Sequence, residues 1–204
     1  QLYASLRLMK TVLASSNKHK AAEITSMLPP SFDIRLQSDL GIEAPPETGL
    51  TFVENALIKA RHASTHTNLP AIADDSGLCV KALGGRPGII SARYAGENAT
   101  DHENLEKLLF ELGDHDDRSA FFYCVIVFLD HAETATPIIA EASWHGKIRL
   151  TPNGSSGFGY DPVFYLPQLG LTAAELAMSQ KNELSHRGQA LRQLRDNILE
   201  RDSP

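Results

Sequence analysis

Residues able to do chemistry gather in a few short stretches, and the densest is Pro70-Ala71-Ile72-Ala73-Asp74-Asp75-Ser76-Gly77-Leu78. Ala71 to Ala73 read as a buried strand that runs into two adjacent carboxylates, a hydroxyl and a glycine. Successive side chains on extended backbone point to opposite faces, so Asp74 and Asp75 cannot share one role. One is suited to coordinating a metal or activating a water, the other to bracing a loop. Carboxylates at the carboxyl end of a core strand stand where open α/β sheets hold their ligands. The plainer alternative is an Asx-turn leaving the strand, with both acids solvated.

Two further stretches carry chemistry. Thr11 to Ala14 form a short apolar strand, followed by Ser15-Ser16-Asn17-Lys18-His19-Lys20. A helix then shows Ile24, Met27 and Leu28 on one face until Pro29-Pro30 stops it. Strand, polar loop and helix in that order aim backbone N–H groups and a positive dipole end at an anion, and Lys18 and Lys20 add charge. This is not a Walker A loop, because its glycines are missing. An ordinary cap at Ser16 or Asn17 with solvated lysines is the competing reading. The other stretch is Gly154-Ser155-Ser156-Gly157-Phe158-Gly159-Tyr160-Asp161-Pro162. Its glycines allow close backbone approach, and Phe158 and Tyr160 offer flat faces for a base, against the alternative of a flexible turn with core aromatics.

The elements that must position these residues follow from pattern. Phe32 to Leu36 alternate as a half-exposed strand, and Glu43 to Gly49 form a Pro-rich acidic loop. Thr51-Phe52-Val53-Glu54 is a capping box opening a long helix with Phe52, Ala56, Ala60 and Ala63 inward and Asn55, Lys59 and His62 on the other face. His62 and His66 have metal-ligand spacing, but no acid accompanies them and they read as surface residues. Thr100 to Glu103 form a second capping box, before a helix with Leu105, Leu108, Leu109 and Leu112 that Gly113 ends. Phe121 to Leu129 read as a strand buried on both faces, with Ile138 to Trp144 as its hairpin partner. Thr172 to Glu175 form a third capping box, and the tail from Ser185 becomes a helix with Leu191, Leu194 and Ile198 on one face. Helices alternate with strands and no linker or repeat divides the chain, which predicts one α/β domain with two lobes.

Composition excludes several classes. A formal charge of -6 over 204 residues argues against a general nucleic-acid binder. Cys79 and Cys124 lie in apolar runs and read as core residues of a reducing, cytoplasmic compartment. No apolar run reaches membrane-spanning length, so no membrane partner is expected. Gln1 to Leu8 show no signal-peptide pattern, and native sequence is expected to begin at Met9, giving a domain over 9–204.

Taken together and in order, the motifs resemble the inosine triphosphate pyrophosphatase family, in its bacterial dITP/XTP branch. They are Ser15 to Lys20, Glu47-Thr48-Gly49, Thr51 to Ala56, Ala73 to Leu78, Pro87-Gly88 with Ser91-Ala92-Arg93-Tyr94, Gly157 to Pro162, and Ser185-His186-Arg187-Gly188. The resemblance runs from about Met9 to Leu199. Ser16 departs from it, standing where the family usually has glycine. Lys18 and His19 fall at variable positions, which leaves Lys20 as the lysine to follow.

The resemblance implies an elongated mixed sheet flanked by helices, in two lobes with a nucleotide cleft between them, and usually a homodimer. It implies Mg²⁺-dependent hydrolysis of ITP, dITP and XTP to monophosphate and pyrophosphate, which clears deaminated purines from the nucleotide pool. Mg²⁺ takes oxygen ligands from one or two carboxylates and from phosphates, and Glu47 and Asp75 are the expected ligands. Asp75 matches the general base, and Asp74 reads as structural support or an outer-shell ligand. Ser15, Ser16, Asn17, Lys18, His19 and Lys20 are expected at the phosphates, with Lys59 and Lys181 as further cations. Ser76 is expected on the nucleotide, Phe158, Gly159, Tyr160 and Asp161 around base and sugar, and His186 and Arg187 at the base edge. A nucleotide- or RNA-binding module without hydrolysis, and a pyrophosphatase for modified pyrimidine nucleotides, are the alternatives.

Overall fold

The computed structural model describes residues 9–201, and the expectation for Gln1 to Leu8 lies outside them. In chain order the elements are β1 (Met9–Ala14), α1 (Lys18–Met27), β2 (Phe32–Leu36), α2 (Phe52–Thr67), β3 (Ala71–Val80), α3 (Asp101–Leu112), β4 (Ser119–Leu129), β5 (Ile138–Ile148), β6 (Phe164–Leu166), β7 (Leu171–Thr172), α4 (Met178–Leu184) and α5 (His186–Arg201). Seven strands form one sheet in the order β2-β1-β3-β4-β5-β6-β7. β1 runs parallel to β2 and β3, whereas β6 is antiparallel to β5 and β7. The sheet is therefore mixed, as the α/β reading expects. Among the described residues no helix is long and apolar enough to cross a membrane.

The chain sorts into two compact units, and the divisions fall inside β3, β4 and β5. The first unit holds the residues up to Asp75, Val125–Glu141 and the chain from Ala190. Val12, Leu13 and Ala71 to Ala73 are fully buried where β1 pairs with β3. α2 packs on β1, and its buried stripe is Ala56, Ala60 and Ala63, small residues that let helix and sheet approach closely. Its N-terminus carries the expected capping box, with Thr51 accepting from the Glu54 N–H and Glu54 reaching back to Thr51. Val125 to Leu129 are almost wholly buried, each contributing roughly 1.5–3 kcal/mol.

The second unit holds Ser76–Cys124 and Ala142–Gln189. Its core joins Leu78 and Val80 of β3 to Leu105, Leu108 and Leu112 of α3 and to Phe122, Trp144, Tyr160 and Phe164. The capping box at Thr100 is formed, whereas at Thr172, which opens a single 3₁₀ turn, the Thr172 N–H donates to Glu175 and the Thr172 hydroxyl donates to the Asn153 carbonyl. Cys79 and Cys124 are buried free thiols, and burial pushes Cys79 up to about 11.

Three expectations need correction. β3 does not end at the carboxylates but runs ten residues through them, and both acids are buried. The Asx-turn with solvated acids is thus excluded, because lysines meet both carboxylates inside the fold. The face of α2 bearing Asn55 and Lys59 points inward, since both find polar partners there. In β4 only the second half is buried throughout, and the stretch from Ser119 to Tyr123 alternates.

Candidate active site

In the first unit, the β1–β3 register decides what Asp74 and Asp75 meet. Their last paired residues are Ala14 and Ala73, so Asp74 is the first residue of β3 beyond the end of β1. The chain leaving β1 there is Ser15-Ser16-Asn17, which opens α1. Lys20 Nζ, on the first turn of α1, lies 3.4 Å from Asp74 Oδ2. Asp75 meets α2 instead: Lys59 Nζ donates to its Oδ1 at 3.0 Å and to Glu47 Oε1 at 2.9 Å. Neighbouring acids on one strand therefore serve different partners, as the alternation of a strand demands.

Glu47 reaches Lys59 because its loop is fixed at Gly49. A Cβ there would come within 2.6 Å of Glu54 Cβ and 2.7 Å of Asn55 Oδ1. The Gly49 N–H instead donates to Asn55 Oδ1 at 2.8 Å. Only glycine allows that approach, which ties the acidic loop to α2 one turn before Lys59. His62 secures the same loop through Nε2 and the Glu43 carbonyl, 2.9 Å apart.

Three carboxylates, Glu47, Asp74 and Asp75, and two ammoniums, Lys20 and Lys59, meet in this cluster. Burial pushes the Asp75 carboxyl above its ordinary range, an effect that Lys59 and Lys20 oppose without overcoming. Burial works against the Lys59 ammonium, but Asp75, Asp74 and Glu47 outweigh it and raise its affinity for its proton. Asp75 Oδ2 is buried and has no hydrogen-bond partner among the described residues. Clustered carboxylates, one of them with a buried oxygen not yet hydrogen-bonded among the described residues, suit a hard cation with oxygen ligands. Among the described residues no three acidic, His or Cys side chains converge on one point, so such a cation would need further ligands from substrate and water. That fits Mg²⁺, which retains waters and binds phosphates.

The Ser15 to Lys20 loop differs from a bare anion nest. Asn17 Oδ1 accepts from the N–H groups of His19 and Lys20, which takes two of the helix-end donors. Lys18, His19 and Ser16 are exposed, while Ser15 Oγ donates to the Asn17 carbonyl.

A second cluster lies in the second unit. Lys181 Nζ, buried in α4, donates to Asp161 Oδ2 at 2.6 Å and stands 4.8 Å from the centroid of the Phe158 ring. Arg187 is 2 % exposed, donates through Nη2 to Ser76 Oγ at 2.8 Å, and has its guanidinium 5.9 Å from the same ring. Gly188 sits so near the Asn182 carbonyl that a Cβ would collide with it, and its N–H is capped by Ser185 Oγ. The Ser185-His186-Arg187-Gly188 motif is thus a tight helix start that aims Arg187.

Two expected base-facing side chains are turned inward. Tyr160 is core, its hydroxyl donating to the Ser91 carbonyl at 2.8 Å, because a ring between Leu78 and Phe164 gains more from burial than from solvent. The His186 ring stacks on Phe122 with centroids 4.8 Å apart and 9° between planes. Phe158 is half-buried and remains the aromatic face of this loop. His62 and His66 lie side by side on α2, ring centroids 4.2 Å apart and tilted by 41°, without a third ligand among the described residues.

A model of the Ham1 family matches residues 11–197. The chain belongs to the Ham1 family. A relative from Shigella flexneri named dITP/XTP pyrophosphatase is 56 % identical over 192 residues, spanning 93 % of this chain and 98 % of the relative. The solved HAM1 protein from Coxiella burnetii is 48 % identical with a TM-score of 0.87, over 94 % of this chain and 99 % of that one. The Staphylococcus aureus Ham1 protein follows at 40 % and 0.85, over 95 % and 100 %.

Three residues that the sequence reading quoted without a positioning role turn out to hold the Ham1 motifs in place. Asn55 holds the Glu47 loop, Ser91 holds β3 through the Leu78 N–H at 2.9 Å, and Asp101 accepts from the Gly159 N–H at 2.7 Å. Asn55 had a usable signal, an amide inside a helix beside an alanine stripe. Ser91 and Asp101 had none, since their partners lie 13 and 58 residues away.

Proposed function

We propose that this chain hydrolyses non-standard purine nucleoside triphosphates, namely ITP, dITP and XTP, to the monophosphate and pyrophosphate. The observation that carries the chemistry is Asp75 Oδ2, a buried carboxylate oxygen with no hydrogen-bond partner among the described residues. The substrate class rests on the name of the Shigella relative. Lys59 holds Oδ1 and leaves Oδ2 to take a proton from the attacking water. Burial makes that carboxylate a stronger base than an exposed aspartate, as a general base requires. Glu47 and Asp75 would hold Mg²⁺, which neutralises phosphate charge when bound. Asp74 supports Lys20 rather than acting on water. Ser15, Ser16, Asn17, Lys18, His19 and Lys20 serve the phosphates through their hydroxyls and charge.

In the second unit Phe158 supplies the face on which the base is seated, with Gly159 beside it. Arg187 reads the base edge and is set by Ser76. Asp161 and Lys181 hold the Phe158 loop in place, and Tyr160 and His186 support it from the core. The whole chain from Met9 acts as a single pyrophosphatase domain, a cytoplasmic homodimer in the cell that clears deaminated purines. Support for one domain comes from β3, β4 and β5, each of which runs through both units.

Phosphorus NMR of ITP, dITP, XTP, ATP and a modified pyrimidine triphosphate, each with and without Mg²⁺, tests this reading. Monophosphate and pyrophosphate from the 6-oxo purines, only with Mg²⁺, is the expected result. Inorganic phosphate with a diphosphate product would overturn the cleavage site, and no turnover at all would favour a binding module.

A further inference from the structure

We infer that Asp101 is a positioning residue for nucleotide binding, tethering the Phe158 loop to the start of α3. This rests on the reading that Phe158 seats the base. Phe158 lies between Gly157 and Gly159, both at positive φ, +77° and +62°, where backbone is cheap to move unless something holds it. Two carboxylates hold it. The Phe158 N–H donates to Asp161 Oδ2 at 2.9 Å, and the next N–H, that of Gly159, donates to Asp101 Oδ2 at 2.7 Å.

The two anchors differ in kind. Asp161 belongs to the loop itself and is fixed by Lys181 at 2.6 Å, and Gly157 leaves room for its carboxylate where a Cβ would collide. Asp101 comes from a separate element 58 residues earlier. It is the first residue of α3, directly after the Thr100 cap, and that turn is locked by Thr100 and Glu103. A rigid helix end thus grips the peptide that follows Phe158. The grip fixes the ring against Lys181 and Arg187, at 4.8 and 5.9 Å from its centroid. Without it the peptide after Phe158 loses its hold on α3, and the face offered to the base is less well preorganised.

The test compares steady-state ITP hydrolysis, melting temperature and Gly159 amide exchange in the full-length wild type, Asp101→Ala, Asp101→Asn and Phe158→Ala. An asparagine Oδ1 still accepts from the Gly159 N–H, whereas alanine cannot. Asp101→Ala is expected to raise KM roughly five- to thirtyfold with kcat within about twofold, the loss of one charge-assisted hydrogen bond. Gly159 exchange should quicken, and Asp101→Asn should restore both readouts towards wild type. A helix-end charge alone predicts the opposite pattern, with asparagine failing like alanine and KM unmoved while the melting temperature falls. That result, or an unchanged KM in Asp101→Ala, overturns the inference. Phe158→Ala separates the two layers. If it leaves KM unchanged the base-seating reading itself fails, and if it raises KM while Asp101→Ala does not, only the tether is wrong.

Discussion

Lys59 and Lys181 make an instructive pair. Each is a buried lysine on a helix, each meets a buried aspartate, and each comes from a different unit of the chain. Around Lys181 the charges pair off: Asp161 Oδ2 takes the ammonium at 2.6 Å and the Phe158 N–H as well. Around Lys59 two carboxylates share one ammonium, a third is close enough to be felt, and among the described residues Asp75 retains a buried oxygen without a hydrogen-bond partner. We propose that the first arrangement is a brace and the second the one that does chemistry. A buried ion pair therefore says little about function until its remaining lone pairs are counted.

The comparison breaks most visibly at the two aspartates. Asp75→Asn should lower kcat for ITP by about 10²–10⁴-fold with the fold retained, because an amide cannot accept the proton of water. Pyrophosphate release and circular dichroism check it. A loss within tenfold would return Asp75 to a bracing role and erase the contrast with Asp161. Asp74→Asn should cost less, and the reverse order would mean that the two acids have been assigned the wrong way round.

Next in size are the lysines. Lys181→Met should cost about 3–5 kcal/mol in urea unfolding, since it strands a buried carboxylate. Lys59→Met should cost a similar amount at neutral pH, but with a stronger pH dependence. Burial already raises the Asp75 carboxyl above its unfolded value. Such an acid destabilises the fold once ionised, so the deficit grows as pH rises through the folded value and shrinks as pH falls towards the unfolded one. A Lys59→Met deficit that is flat between pH 7 and pH 4.5 would contradict this.

Arg187→Ala sharpens the second unit. Arginine only donates, so it matches O6 of hypoxanthine or xanthine and opposes the amino group of adenine. An unpaired buried donor costs about 1–3 kcal/mol, so the ITP-to-ATP ratio of kcat/KM should fall roughly 5- to 150-fold. The ratio is insensitive to the fraction folded, which matters for a residue buried this deeply. An equal fall for both nucleotides would make Arg187 a structural partner of Ser76.

The smallest effect is common to both units. Glu54 is held low chiefly by the Thr51 hydroxyl, and Glu103 and Glu175 chiefly by the backbone N–H groups of Thr100 and Thr172. Their folded values lie below the unfolded ones, so the stabilisation is complete above the ordinary 4.5 and is lost as pH falls through the lowered values. Acid unfolding of Glu54→Gln and Glu103→Gln should be flatter than wild type over that window, and identical curves would remove the caps from the account.

Short-range order was legible from the residues alone. The capping boxes at Thr51 and Thr100, the stop before Pro29-Pro30, the alanine stripe of α2 and the buried cysteines depend on hydrogen bonds and periodicities within a few residues. The order of motifs was enough to name the family. What the sequence could not carry was the partner of each polar side chain. Asp75 and Lys59 are 16 residues apart, Asp161 and Lys181 are 20, Asp101 and Gly159 are 58, and Ser76 and Arg187 are 111. Local pattern read Asp74 and Asp75 as the end of a strand, Lys59 as lying on the face of α2 away from its inward stripe, and Tyr160 as a flat face open to a base. Tertiary packing reversed all of these, because a charge is tolerated inside only where its counter-charge arrives from elsewhere in the chain. An aromatic ring, likewise, is buried wherever the core has room for it.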